Sequence, residues 1–418
     1  MEKRIINHLT DNDAYTFSVC YLYLKKFPRA AGQYTFFDRN DTVYPPGFAE
    51  LVREQVRAME SIVVSEAEIA FMTRRCYYFP TWFYTFLKGY RFDASEISIS
   101  QDQSGRLSIS VEGLLWKTVF WEVPILAIIS ELKHRCDGDL EGYRADHEYE
   151  KSLAKGRHMI RSGLSFAEFG TRRRFTFDHQ DLILRALVEA HLARGAGQDE
   201  GSFAGSSNVY FCMKYDLVPI GTMSHQVVSF CGAIFGYKEA NFIAMSYWQE
   251  AFESDLGTFL YDTYGWDAFQ KNFSKIYAKL FDGLRVDSGD NFRAVDKITA
   301  KYRELGLDPL TKSLTFSNGL SVDEAVEIHR YCQDRIRDNY GIGTFLTCDV
   351  SNVRPMNIVM KLTAARLTEK KSWQKAVKLS DDPGKHTGDP DEVDLAQRTL
   401  GLKAGGAWAA RPTPPPLR

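Results

Sequence analysis

The feature that most restricts the fold of this chain is a pattern that runs to about Val350: short apolar stretches, each passing through a turn into an amphipathic helix. Four such units stand out. Leu217–Ile220 leads into Gly221–His225 and a helix, and Leu284–Val286 leads into DSGD and the helix carrying Ala294–Tyr302. Ser313–Phe316 leads into Asn318–Gly319 and Ser321–Tyr331, where Ser321 and Glu324 have the spacing of a capping box. Gly343–Thr347 is the last. Strands alternating with helices predict a parallel sheet, and this many units over about 200 residues favour a barrel over an open sheet. In a parallel barrel the chemistry sits on the loops that follow the strands.

Upstream, helical runs mix with strand-like alternation at Gln33–Phe37, Ile97–Ser100 and Leu107–Val111, which predicts an α+β region. Glu122–Leu132 (EVPILAIISEL) reads as a helix with Pro124 in its first turn. The expected organisation is an α+β domain over 1–125, an α/β barrel over 126–350, a further segment over 351–404 and a disordered tail over 405–418. More than one structural region suits a chain of 418 residues, because single cores stop growing near ~250–300 residues.

Lys and Arg total 52 against 54 for Asp and Glu, so no overall basic field exists to attract nucleic acid or an anionic membrane. Any anionic ligand must be held by a local site. The seven cysteines are scattered, without the spacing of a zinc site or a disulfide framework, and read as reduced thiols. MEKRIINHLTDNDAY lacks the apolar stretch of a signal peptide, and no apolar run approaches the roughly 20 residues that span a bilayer. A cytoplasmic location is expected.

Several short segments can carry chemistry. GTMSHQ places His225 after a strand and near the first turn of a helix, where unpaired N–H groups favour an anion and disfavour imidazolium. Neutral imidazole is the nucleophilic form, so a phosphohistidine suits the position. Alone, the segment reads more readily as a capping turn with an incidental histidine. RVDSGD sets Asp287 and Asp290 three residues apart, with Gly289 allowing a tight turn; such a pair can hold Mg²⁺ or ribose hydroxyls, or merely cap the next helix. Arg285 offers a fork suited to a carboxylate or phosphate.

YGIGTFLT couples a glycine-containing turn to Thr344, a pattern that serves as a phosphate cradle or a plain strand end. GSSN (Gly205–Asn208) is a small-residue turn open to either reading. FGTRRR concentrates three arginines after Phe169, as phosphate binding or a basic surface turn would require. DNDAY can cap the first helix with Asp11 or Asp13 and pack Tyr15 into the core, and Asp262 in YDTYGWD can line the barrel mouth. A barrel aldolase would want a Schiff-base lysine, but Lys361 and Lys378, late in strand-like runs, have no partner by spacing.

Taken in order, LTDNDAY, WEVPILAIISEL, FGTRRRF, GSSNVY, GTMSHQ, YDTYGWDAF, KLFDGLRVDSGD, FSNGL, YGIGTFLTCD, RPMNIVMKL and VKLSDDPGK resemble the nicotinate phosphoribosyltransferase family of the bacterial type. The resemblance implies an irregular TIM-like α/β barrel of the type II phosphoribosyltransferases, with 351–404 packed back on the N-terminal α+β domain. It implies that nicotinate and 5-phosphoribosyl 1-diphosphate combine to nicotinate mononucleotide, the first step of NAD synthesis from nicotinate, with ATP and Mg²⁺. A nicotinamide phosphoribosyltransferase is the alternative.

By motif, His225 resembles the family's autophosphorylated histidine, Thr222 a contact to the nucleotide, Arg285 the arginine that meets nicotinate, and Thr344 a phosphoribosyl-diphosphate contact. Phe169 and Arg172 match positions that stack on the ring and bind phosphate, and Asp287 and Asp290 match ribose and metal positions. Tyr15 matches a tyrosine that reaches the ring from a neighbouring subunit, which implies a homodimer with a shared site. Family members often carry Glu after the phosphorylated histidine; this chain has Gln226, a neutral amide that can orient an imidazole but cannot stabilise imidazolium.

Overall fold

A computed structural model of the chain describes residues 4–195, 200–221, 223–382 and 385–402; the expected tail over 405–418 lies outside the described residues. Strands are numbered in chain order. Seven of them form one parallel sheet: β4 (Ser165–Glu168), β5 (Ser202–Ser206), β6 (Val218–Pro219), β7 (Thr258–Leu260), β8 (Gly283–Val286), β9 (Ser313–Phe316) and β10 (Arg337–Ile342). Their spatial order is β6-β5-β4-β10-β9-β8-β7. β10 returns beside β4, with Tyr340 opposite Phe166, so the sheet curls round on itself. Its two edges, β6 and β7, do not pair, and this seam makes the barrel irregular.

Apolar residues at alternate positions explain these strands: Leu284, Val286, Leu314, Phe316, Tyr340 and Ile342 share one face of the sheet and are all buried. Gly341 is fixed by packing, since a Cβ there would lie 2.4 Å from the Phe169 ring. The last unit departs from expectation: the strand is Arg337–Ile342, and Thr344–Thr347 forms a single helical turn after it. Only half of the expected capping box forms. Ser321 Oγ accepts from the Glu324 N–H at 3.2 Å, but the Glu324 carboxylate accepts from Asn291 Nδ2 at 3.0 Å instead of reaching back to Ser321.

The second sheet is antiparallel, in the order β12-β11-β1-β3-β2. It comprises β1 (Ala31–Asp38), β2 (Ile97–Gln101), β3 (Leu107–Leu114), β11 (Ile358–Arg366) and β12 (Gln374–Lys375). β1 lies between β3 and β11, so the C-terminal segment packs back on the N-terminal region. Between the sheets runs the helix Glu122–Cys136, buried along almost its whole length and in contact with β11 and the 171–173 turn. The expected boundary at 125/126 falls inside this helix. No helix among the described residues is long and apolar enough to cross a membrane.

Candidate active site

One cavity lies where the mouth of the curled sheet faces the antiparallel sheet, and each side furnishes part of its wall. Tyr15 comes from the first helix, Glu122 from the start of the buried helix, Lys361 from β11 and Arg285 from β8; Arg172, His225 and Asp287 follow the parallel strands β4, β6 and β8. The placement agrees with the rule that ligands meet a parallel barrel at the carboxyl ends of its strands.

His225 is the first residue of the helix His225–Phe235, which follows β6. Its Nδ1 lies 3.0 Å from the Thr263 hydroxyl, after β7, so the two side chains bridge the open seam. Its Nε2 faces Asp287 Oδ2 at 3.1 Å and Lys378 Nζ at 2.9 Å. An ammonium only donates, so toward Lys378 the Nε2 must present its lone pair. Burial, reinforced by the Lys378 charge, lowers the His225 pKa well below the usual value and outweighs Asp287. The ring is neutral, the nucleophilic form of imidazole.

Arg285 Nε donates to Ser317 Oγ at 2.8 Å and its Nη2 to Asp287 Oδ1 at 2.9 Å, while the guanidinium packs 5.8 Å from the centre of the Phe169 ring. Burial alone would raise the Asp287 pKa; Arg285, His225 and Lys378 outweigh it and hold the carboxyl well below the ordinary range. Arg172 approaches Glu122 at 3.5 Å and Asp13 at 3.6 Å and lies over the Tyr15 ring, whose hydroxyl donates to Glu122 at 2.9 Å. Lys361, 4.0 Å from Glu122, is pushed down to about 8, chiefly by burial and further by Lys378.

The structure therefore brings Tyr15, Arg172, His225, Arg285 and Asp287 around one cavity. Phe169 stands behind them, under Arg285. Asp290 goes elsewhere: it caps the helix Asn291–Glu304 by accepting from the Arg293 N–H at 2.9 Å, with Gly289 at φ +79° making the turn between the two carboxylates. Thr344 sits in its helical turn and is not among the cavity-lining residues, and Thr222 lies outside the described residues. The arginines of FGTRRR diverge, Arg172 to the cavity and Arg174 to the core, which neither a phosphate cluster nor a surface turn anticipates. Tyr15 lines the cavity from its own chain. Gln226 does not orient His225; its Oε1 accepts from the Tyr34 hydroxyl at 2.7 Å.

Glu122, Lys361 and Lys378 had no role by spacing, although each lies inside a stretch that carries the resemblance. His225, Asp262 and Asp287 each offer one donor atom within 4.8 Å of the others, a separation that would suit a divalent cation. Those donors are only partly engaged: Asp262 Oδ1 is buried without a partner among the described residues, and Asp287 Oδ2 faces His225. Lys378 holds His225, Ser288 hydrogen-bonds Asp262, and Arg285 with Ser317 hold Asp287. What opposes a directly bound ion there is the Lys378 ammonium, which already faces His225 Nε2.

Comparison with known proteins assigns the family. Residues 164–404 match the model of the nicotinate phosphoribosyltransferase (NAPRTase) family, and residues 10–130 match the model of its N-terminal domain. A nicotinate phosphoribosyltransferase from Chromohalobacter salexigens is 42% identical, covering 95% of this chain and 99% of its own; one from Desulforapulum autotrophicum is 38% identical, with 93% and 97% covered. The crystal structure of nicotinate phosphoribosyltransferase from Porphyromonas gingivalis superposes with a TM-score of 0.89 at 42% identity, covering 95% of this chain and 100% of that one. With both family models matched and near-complete coverage on either side, the chain belongs to the nicotinate phosphoribosyltransferase family.

Proposed function

We propose that this enzyme joins nicotinate to 5-phosphoribosyl 1-diphosphate with release of diphosphate, and that ATP assists by phosphorylating His225. The observation that supports this most is the convergence of a buried neutral histidine with Arg172, Arg285, Lys361 and Lys378 around one cavity. Cations in that number suit a substrate that carries a phosphate and a diphosphate.

Breaking the bond from the anomeric carbon to diphosphate passes through an oxocarbenium-like state, so the leaving group's charge must be held and water excluded. Arg172 and Lys361 are placed for the anion, and Asp287 Oδ2 faces the cavity for ribose hydroxyls or the developing positive charge. The pyridine nitrogen of nicotinate attacks with its own lone pair and needs no deprotonation. Its carboxylate is the handle for Arg285, whose Nε and Nη2 are already fixed and whose Nη1 has no hydrogen-bond partner among the described residues. In the ATP step the Nε2 lone pair attacks the γ-phosphorus, the bridging P–O bond breaks, and ADP leaves with the electron pair; water later releases phosphate and restores His225. Mg²⁺ belongs to this proposal as an ion that enters on the substrates' phosphates. We extend the proposal to a homodimer with a shared active site, its oligomeric state checked by sedimentation equilibrium.

The test is a product assay with 5-phosphoribosyl 1-diphosphate, Mg²⁺ and either nicotinate or nicotinamide, with and without ATP. Nicotinate mononucleotide formed faster with ATP is expected. Product from nicotinamide alone would refute the substrate assignment, and a rate indifferent to ATP would refute the coupling.

Lys361 gives the site a pH dependence. Its pKa near 8 is lowered, so the cation is present below pH 8 and lost as pH rises through it. The kcat/KM for 5-phosphoribosyl 1-diphosphate, which reports the free enzyme, should fall between about pH 7.5 and 9. Lys361→Met should be low at every pH without that step, and Lys361→Arg should carry the plateau to higher pH. An unchanged step in Lys361→Met would assign it to another group.

A further inference from the structure

The C-terminal segment that follows β11 crosses the open seam of the barrel. Leu379 N–H donates to the Thr263 carbonyl at 2.8 Å, Ser229 Oγ to the Val377 carbonyl at 3.1 Å, and Lys378 exchanges backbone hydrogen bonds with Thr387 at 3.0 and 2.9 Å. Val377 and Leu379 are buried on either side of Lys378. The lysine is therefore fixed by its own backbone and delivered to one atom, Nε2 of His225, at 2.9 Å.

That atom has two claimants with opposite demands. Asp287 Oδ2, at 3.1 Å, can bond to Nε2 only if the nitrogen carries a proton, whereas the Lys378 ammonium can do so only if it does not. A histidine facing Asp287 alone would be drawn toward imidazolium, which has no nucleophilic nitrogen. We propose that Lys378 is the positioning residue of His225: it takes the Nε2 lone pair, leaves the proton on Nδ1 facing Thr263, and so keeps the ring ready to accept a phosphoryl group. The inference deepens the phosphohistidine reading and rests on it for its functional consequence, although the effect of Lys378 on the ring does not depend on ATP.

On phosphoryl transfer the lone pair that Lys378 holds becomes the N–P bond, the bond from phosphorus to the bridging oxygen breaks, and ADP carries off the electron pair. The displaced ammonium then donates to a phosphoryl oxygen. It acts on the charge twice, first against protonation of the ring and then in favour of the phosphorylated state.

Other charges face this pair. Arg285 comes from β8, Asp287 from directly after it, Asp262 from the loop after β7, and Lys361 from β11, while Arg39 and Lys385 act on Lys378. Gln226, beside His225 in its helix, is neutral and turned to Tyr34. The negative charge nearest the ring is thus Asp287, and removing Lys378 leaves it unopposed at Nε2.

The experiment uses the full chain and the variants Lys378→Met, Lys378→Arg and Lys378→Met/Asp287→Asn, with histidine-labelled protein and the His225 signals identified by their loss in His225→Ala. By NMR, the His225 titration midpoint of Lys378→Met should rise by at least about one pH unit over the native chain. Asp287→Asn in the same chain should bring it back down, and Lys378→Arg, which can still donate to Nε2, should stay near native. In parallel, γ-labelled ATP should phosphorylate Lys378→Met at least about tenfold more slowly, most of all at low pH, where its ring is protonated. A folded Lys378→Met chain whose His225 titrates as in the native protein would overturn the proposal. Absence of label on the native chain would instead refute the phosphohistidine reading, and the titration would still decide what Lys378 does to the ring.

Discussion

A His225→Ala chain should release no phosphate from ATP above background, a loss of roughly 10³-fold or more, because on the proposed phosphohistidine mechanism the group removed is the nucleophile. No neighbour can replace it. Lys378 is held as an ammonium donor to Nε2, Asp262 and Asp287 are carboxylates, and the Ser224 hydroxyl, buried without a partner, has no base beside it among the described residues. Nicotinate mononucleotide formation should survive at a reduced level, since Arg172, Arg285, Asp287 and Lys361 reach the cavity from other elements. The size of that reduction measures the coupling. A phosphoryl group at the start of the His225–Phe235 helix, beside Lys378, would order the cation cluster before diphosphate departs, and couplings of this kind are worth about 5–150-fold in affinity. The measurement is phosphate release and product formation in the same reaction. ATP consumed in step with product by His225→Ala would place the phosphorylated residue elsewhere.

The sequence makes the barrel legible where its strands are long enough to leave a pattern and silent where they are not. β8 and β9 are readable from Leu284–Val286 and Ser313–Phe316, whose alternate apolar residues are closed by DSGD and SNG turns. β4, β5 and β7 were missed as strands because Ser165–Glu168, Ser202–Ser206 and Thr258–Leu260 are short and mix small or polar residues with one or two apolar ones. β10 was shifted to Gly343–Thr347 because the glycines of YGIGT drew the turn too late. Among site residues, His225, Arg285 and Asp287 were findable because each ends a strand or begins a helix within a recognisable motif. Lys378 was not: it lies 153 residues from His225 along the chain, and only the antiparallel sheet with the segment after it brings the two together. The same limit explains Asp290, whose spacing from Asp287 suits a metal pair equally well as a cap. Only the turn at Gly289 sends its carboxylate back to the Arg293 N–H.

Asp11→Ala should be the most damaging substitution to stability, at about 3–5 kcal/mol, although Asp11 touches nothing in the cavity. Arg174 binds it through two parallel contacts, Nη1 to Oδ1 at 2.7 Å and Nη2 to Oδ2 at 2.9 Å, and neither side chain is exposed to solvent. Asn208 also donates to Asp11 at 2.8 Å, and the guanidinium packs 5.0 Å from the Phe177 ring. Without the carboxylate, a guanidinium whose Nε already has no partner would remain buried and uncompensated, and that penalty exceeds anything the pair contributes as attraction. Replacing both partners by apolar residues, Asp11→Leu with Arg174→Met, should therefore cost less than Asp11→Ala alone. An exposed pair behaves differently: Asp216→Ala, opposite Arg74, should change stability by less than about 1 kcal/mol. The damage should also reach the site, because residues 10–15 are stitched to the barrel through Ala14 N–H to the Ser207 carbonyl and Val209 N–H to the Asn12 carbonyl, and Tyr15 follows directly. Urea unfolding of the four chains, followed by fluorescence and by residual activity, measures both effects. A shift in Asp11→Ala below about 1 kcal/mol would mean that water reaches Arg174 and that the N-terminal segment is not anchored by this pair.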